Sequence, residues 1–186
     1  ELRRVEAIEE ELAQLEAPRI ASTAQQLLAA SVRRHEAQHG IDDDRASPLR
    51  YPKQLEEHLG DELDDDGEPR RRVESARAEL SAYLSQLAND PATPQLTLWS
   101  VLRFAFDDNQ VNSSESYAGI LIAEGLARHL ALEIPGPVIH DRRIDRARLT
   151  QLSRPLLTKT GDELRAATRA LWLELYGEEL VPITDR

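Results

Sequence analysis

Apolar residues recur at steps of three and four along most of the chain, which is the period of an α-helix and not the alternation of a strand. Residues 1–16 carry Leu2, Val5, Ile8, Leu12 and Leu15 in this spacing, and Ala17-Pro18 is expected to end the segment. A second helix is predicted over 22–40, opened by Ser22 with Gln25 in capping-box spacing and closed by Gly40. Its stripe is Ala24, Leu28, Ser31, Val32, His35 and His39, which places both histidines on the inward face. Pro52 opens a short helix over 53–59. Residues 70–89 form the next, stopped by Pro91, with Val73, Ala76, Leu80, Tyr83, Leu84 and Leu87 on its core face. The most hydrophobic stretch, 96–106, reads as a buried helix.

A helix capped at or near Ser114 is expected to reach 134, with Tyr117, Ile120, Leu121, Ala127 and Leu130 inward and Glu124 unusually among them. Val138-Ile139-His140 is the one strand-like stretch, and a short helix follows over 141–152. The last helix, 160–176, has the capping box Thr160-Gly161-Asp162-Glu163, an apolar set of Leu164, Ala167, Leu171 and Leu175 with Trp172 nearby, and Gly177 as its stop. The expected fold is an all-α single domain of seven or eight helices, with 22–40 in the core beside 70–89. Residues 1–17 are set apart as an amphipathic helix or the end of a longer arm, and 18–186 as the domain proper.

Composition narrows the functional classes. The 186 residues are 40% hydrophobic and 31% charged, a soluble globular balance. A net charge of −11 argues against partners rich in phosphate, so neither nucleic acid nor an anionic membrane is expected. No apolar run has membrane-spanning length. With no cysteine, disulfides and thiolate metal sites are excluded, and a metal must use His, Asp or Glu. The chain starts at Glu1 and contains no Met, which reads as a fragment or processed form. An exported bacterial protein, periplasmic or extracellular, is preferred on that basis over a cytoplasmic one.

The strongest chemical signal is His35-Glu36-Ala37-Gln38-His39, an H-E-x-x-H motif. On a helix its two histidines share a face and can hold one metal, while Glu36 sits where it can take a proton from a bound water. Residue frequencies put an accidental occurrence at about 1%. Two histidines bind metal weakly, and a catalytic zinc commonly has a third protein ligand. Glu79 is the choice: it lies about 90° from the centre of the 70–89 core face, whereas Glu74 lies about 130° away. Glu124, Glu115, His58 and His140 follow in that order. Tyr83 or Tyr117, or else His129 or His140, are candidate donors to an oxyanion. An Asp among 42–44 is a candidate partner for an imidazole. The acidic stretch 60–69 comes close to a calcium loop through Glu62, Asp64, Asp66 and Gly67, but Val73 stands where the bidentate Glu belongs, so a solvated acidic loop or lid is expected.

With His35, Glu36 and His39 matching directly, and Glu79 within Ala78-Glu79-Leu80-Ser81-Ala82-Tyr83 standing as the downstream element, the chain resembles the gluzincin class of zinc metallopeptidases. The resemblance implies Zn2+, held by His35, His39 and Glu79, with Glu36 as general base and a peptide or protein substrate. Two features depart from the class. Almost no strand precedes or accompanies the motif helix, and Glu79 lacks the acidic residue that often follows it in thermolysin-like enzymes. A helical interaction domain that keeps the motif for structural metal or packing, and an assembly protein whose leading helix is a piece of coiled coil, are the other two readings.

Overall fold

The computed structural model describes residues 2–110, 113–140 and 143–183, with side chains from Ser22 onward. Among these residues it contains seven helices and one two-stranded ribbon, in the order α1 (Leu2–Asp43), α2 (Lys53–Leu59), α3 (Arg71–Asn89), α4 (Pro94–Phe106), α5 (Ser114–His129), β1 (Ile139–His140), β2 (Arg143–Ile144), α6 (Arg146–Leu157) and α7 (Gly161–Tyr176). The all-α architecture is as expected. The hydrophobic core gathers around α3 and α5. α3 packs on α1, α5, α7, α4 and α2, while α5 also meets α4, α6, α7 and α2. Leu80, Leu84, Leu98, Ile120, Leu126 and Trp172 are fully buried at its centre. α5 passes close to both neighbours because it carries glycine at the crossings. A Cβ on Gly125 would sit 2.5 Å from the Leu171 methyls, and one on Gly119 would sit 3.1 Å from the Val101 carbonyl oxygen.

Several boundaries differ from the sequence reading. The expected break at Ala17-Pro18 and the stop at Gly40 are absent, and α1 is one helix of 42 residues, about 63 Å long. A proline removes one internal hydrogen bond without forbidding a helix to resume beyond it. Gly40 does not take the left-handed backbone that would end the helix. The last turn is instead tied down by Asp42, which accepts from Gln38 within the helix at 2.8 Å and from Ser81 of α3 at 2.6 Å.

α5 stops short of 134. Ala131 adopts a left-handed φ of 51°, and the Leu132 and Ala131 N–H groups close onto the Ala127 and Arg128 carbonyls. The helix expected over 141–152 begins later, at Arg146. Its predecessor Arg143–Ile144 pairs antiparallel with β1, Ile139 opposite Ile144. α7 agrees with expectation throughout, capping box and left-handed Gly177 included. No helix among the described residues is long and apolar enough to cross a membrane.

Candidate metal centre

α1 and α3 pack side by side and antiparallel. As α1 advances through Ser31, His35 and His39, the facing residues of α3 recede through Gln86, Tyr83 and Glu79. The inward face of α1 is not the stripe expected. Ser31, Arg34 and Gln38 are buried, whereas Leu28 and Val32 are 48% and 55% exposed. The histidines lie on the flank of the contact, with side chains 13% (His35) and 28% (His39) exposed. The stripe followed hydrophobicity, but the α1–α3 interface selects residues that can hydrogen-bond, so its centre is rotated towards Arg34 and Gln38.

On that flank, His35 Nε2 lies 3.1 Å from His39 Nε2. Glu79 brings one carboxylate oxygen 3.6 Å from His35 Nε2 and the other 4.0 Å from His39 Nε2. The three ligand atoms lie within 4.8 Å of one another, and no other group of three His, Asp or Glu among the described residues meets this test. Three ligands about 2.0–2.1 Å from a tetrahedral zinc are about 3.3 Å apart. The His35–His39 edge, at 3.1 Å, is already within tenths of an ångström of that spacing, and the Glu79 carboxylate, with one oxygen near each histidine, closes the triangle by a movement of its side chain. Two neutral imidazoles and a carboxylate also match the donor set of a hydrolytic zinc.

The electrostatics suit a cation. Burial, then the neighbouring His39, lowers the pKa of His35, so its ring is neutral and free to ligate at neutral pH. Burial raises the pKa of Glu79, with Glu115 adding to the effect, while His39 and the Tyr83 hydroxyl oppose it. A carboxylate whose charge is disfavoured by its surroundings gains from a metal partner. The Tyr83 ring lies 4.6 Å from the His35 ring, and its hydroxyl is near enough to Glu79 to act on the carboxylate. Burial, then the Glu79 carboxylate, pushes the Tyr83 phenol above its ordinary value, so it keeps its proton as a donor. Glu36 is exposed on the same side, near enough to act electrostatically on both His35 and Glu79. One helical turn past His39 and one turn before Glu79, Asp43 and Ser75 begin a cleft of about 550 Å³, which Arg71, Glu74, Arg77 and Ala78 also line.

The structure therefore brings His35, His39, Glu79 and Tyr83 together with Glu36 at their edge. Tyr117 stands elsewhere, buried and stacked on His58 at 6.0 Å. Among the alternative ligands, Glu115 senses the cluster through its charge alone. Glu124 accepts from the Val138 N–H at 3.3 Å, His129 meets Glu174, and His140 lies on β1. Asp42 serves Gln38, Arg45 and Ser81 and no imidazole, because it turns towards the α3 contact. In the acidic loop Asp64 accepts from the N–H groups of Asp66 and Glu68, and Glu62 pairs with Arg77, so two of the calcium-like carboxylates are occupied locally. Sequence reasoning missed Gln86, which lies one turn beyond Tyr83 and hydrogen-bonds Ser31, one turn before His35. Its signal was a long polar side chain on the buried side of α3. Comparison of the chain with protein-family models, with curated proteins and with solved structures finds no match.

Proposed function

We propose that the chain is a zinc-dependent hydrolase that cleaves a peptide or protein amide bond. The observation that carries this reading is the convergence of His35, His39 and Glu79, from two helices, to within 4.8 Å. A zinc ion held there by His35, His39 and Glu79 would supply Lewis-acid polarisation of a carbonyl and a water of lowered pKa. Glu36, next in sequence to one ligand and open to solvent, accepts a proton from the water as it adds to the scissile carbonyl carbon. It then hands that proton to the amine as the C–N bond breaks. Tyr83 donates to the carbonyl oxygen as that oxygen gains charge. The cleft beyond Asp43 and Ser75 supplies room for the chain on one side of the bond.

One observation favours a second reading, a catalytically silent helical domain with structural metal. The described strands are the ribbon after α5, and neither contributes a residue to the cluster or its cleft, so an extended peptide finds no strand edge there. Elemental analysis of the purified chain separates the outcomes. Near-stoichiometric zinc is expected, lost in both His35→Ala and Glu79→Ala. Glu36→Gln should keep the zinc and lower cleavage of a peptide library by about 10²–10⁴-fold. A native chain that takes up no zinc would overturn both readings. Zinc retained with no cleavage by the native chain would leave the structural one.

A further inference from the structure

Behind the cluster runs a chain of polar side chains that crosses from α4 through α1 to α3. Thr97 Oγ1 donates to Asp90 Oδ2 at 2.9 Å. Ser31 Oγ lies 3.0 Å from Thr97 Oγ1, and Gln86 Nε2 donates to Ser31 Oγ at 2.8 Å. Asp90, Thr97, Ser31 and Gln86 are all less than a tenth exposed. The order of protons is dictated from one end. The Asp90 carboxylate only accepts, so the single Thr97 proton goes to it; the Ser31 proton must then go to Thr97, and Ser31 must accept from the amide nitrogen of Gln86. That leaves the Gln86 carbonyl oxygen facing away from Ser31. Gln86 Oε1 and His35 Nδ1 are both buried with no hydrogen-bond partner, and the two residues stand side by side in the helix contact: Ser31, which holds the Gln86 amide, lies one turn before His35, and Tyr83, whose ring packs on His35, lies one turn before Gln86.

We propose that Gln86 is a positioning residue: its carbonyl oxygen accepts a hydrogen bond from His35 Nδ1–H, so that Nε2, the atom facing His39 and Glu79, keeps its lone pair for the metal. The purpose assigned to this contact rests on the metal centre proposed above, but the placement of the proton does not. A ligating histidine normally donates its other ring N–H to a fixed acceptor, and loss of that acceptor weakens metal binding about 10–100-fold. The hydrogen bond from the Gln86 amide to Ser31, which orients that amide, is the reason α1 turns serine inward where an aliphatic residue would pack.

The test uses the full chain labelled with ¹⁵N at histidine and stripped of metal. Two-bond ¹H–¹⁵N spectra report the tautomer of each ring, and the His35 signals are those absent from His35→Ala. The native chain and Gln86→Glu, which keeps the acceptor, should show Nδ1–H at His35. Gln86→Met, of similar size but without an acceptor, should shift His35 towards Nε2–H. Chelator competition should find zinc bound about 10–100-fold more weakly by Gln86→Met and nearly unchanged in Gln86→Glu. If Gln86→Met does not fold, Ser31→Ala, which frees the amide to rotate, is read in the same way. An unchanged His35 tautomer in Gln86→Met would overturn the proposal, as would equal loss of zinc in the Met and Glu variants, which would mark Gln86 as packing alone. A native chain that binds no zinc would sink the metal reading, and the spectra would still decide where the proton lies.

Discussion

At Glu79 folding and chemistry pull in opposite directions. Its carboxyl pKa is raised in the folded chain, first by burial. A raised folded-state pKa contributes stability that is present below the ordinary value of 4.5 and lost as the pH rises through the shifted one. The metal-free protein at neutral pH thus carries a disfavoured charge. Glu79→Gln should raise the melting temperature of the metal-free chain at pH 7, make little difference near pH 4, and abolish zinc uptake. Equal melting temperatures at pH 7 would show that His39 and Tyr83 already offset the burial. At this scale His35, Glu36 and His39 were legible because four residues on a helix bring two side chains to one face whatever surrounds them. Glu79 was legible only as an angle on its own helix. Tyr83 and Tyr117 were indistinguishable, since both fall on inner faces and only packing decides which ring meets His35.

Among the elements, capping chemistry was the most readable part. The capping box at Thr160 and the stop at Gly177 are local interactions within a few residues, and α7 follows them. The end of α5 was misread because its left-handed terminal residue is alanine and carries no glycine signal. Ala131 sits at φ 51°, a conformation that costs a residue with a Cβ about 1–2 kcal/mol. Ala131→Gly should stabilise the fold by about 0.5–1 kcal/mol once the extra freedom of glycine in the unfolded chain is counted. That corresponds to about 1–4 °C in thermal unfolding for a chain of this size, read by circular dichroism. A lowered melting temperature would mean that the alanine methyl packs more usefully than the strain costs. α1 was misread for the opposite reason. Pro18 and Gly40 are strong local stop signals, and the helix runs through both.

For the molecule as a whole, Asp90 is the knot. It follows the last residue of α3, accepts from Thr97 of α4, faces the buried Arg34 guanidinium of α1 at 3.8 Å, and lends its backbone carbonyl to Arg165 of α7. Burial pushes its carboxyl pKa up, but the N–H groups of Thr93 and Ala92, the Thr97 hydroxyl and Arg34 outweigh that and hold it below the ordinary value. A depressed folded-state pKa contributes stability that is present above the unfolded value and lost as the pH falls through the folded one. Asp90→Ala should cost about 3–5 kcal/mol at pH 7, because it removes the carboxylate that faces a buried guanidinium. The loss should shrink as the native protein is titrated below pH 4, measured by urea unfolding. A cost independent of pH would assign the effect to the hydroxyl and backbone contacts rather than to charge.

The sequence by itself determined what strong interactions between near neighbours settle: the helical period, the capped ends of α7, the pairing of His35 with His39, and the place of Glu36 beside His35. Tertiary structure alone decided which face of α1 turns inward, that Glu79 and not Glu124 or His58 completes the triangle, and that Gln86 stands behind His35. The physical reason is that these outcomes depend on the antiparallel register of α1 against α3. That register is settled by buried and partly buried hydrogen bonds among Ser31, Gln38, Asp42, Ser81 and Gln86, two of which join residues of α1 to residues of α3. Hydrophobic periodicity does not register such bonds, since each side chain in them reads as polar and therefore outward.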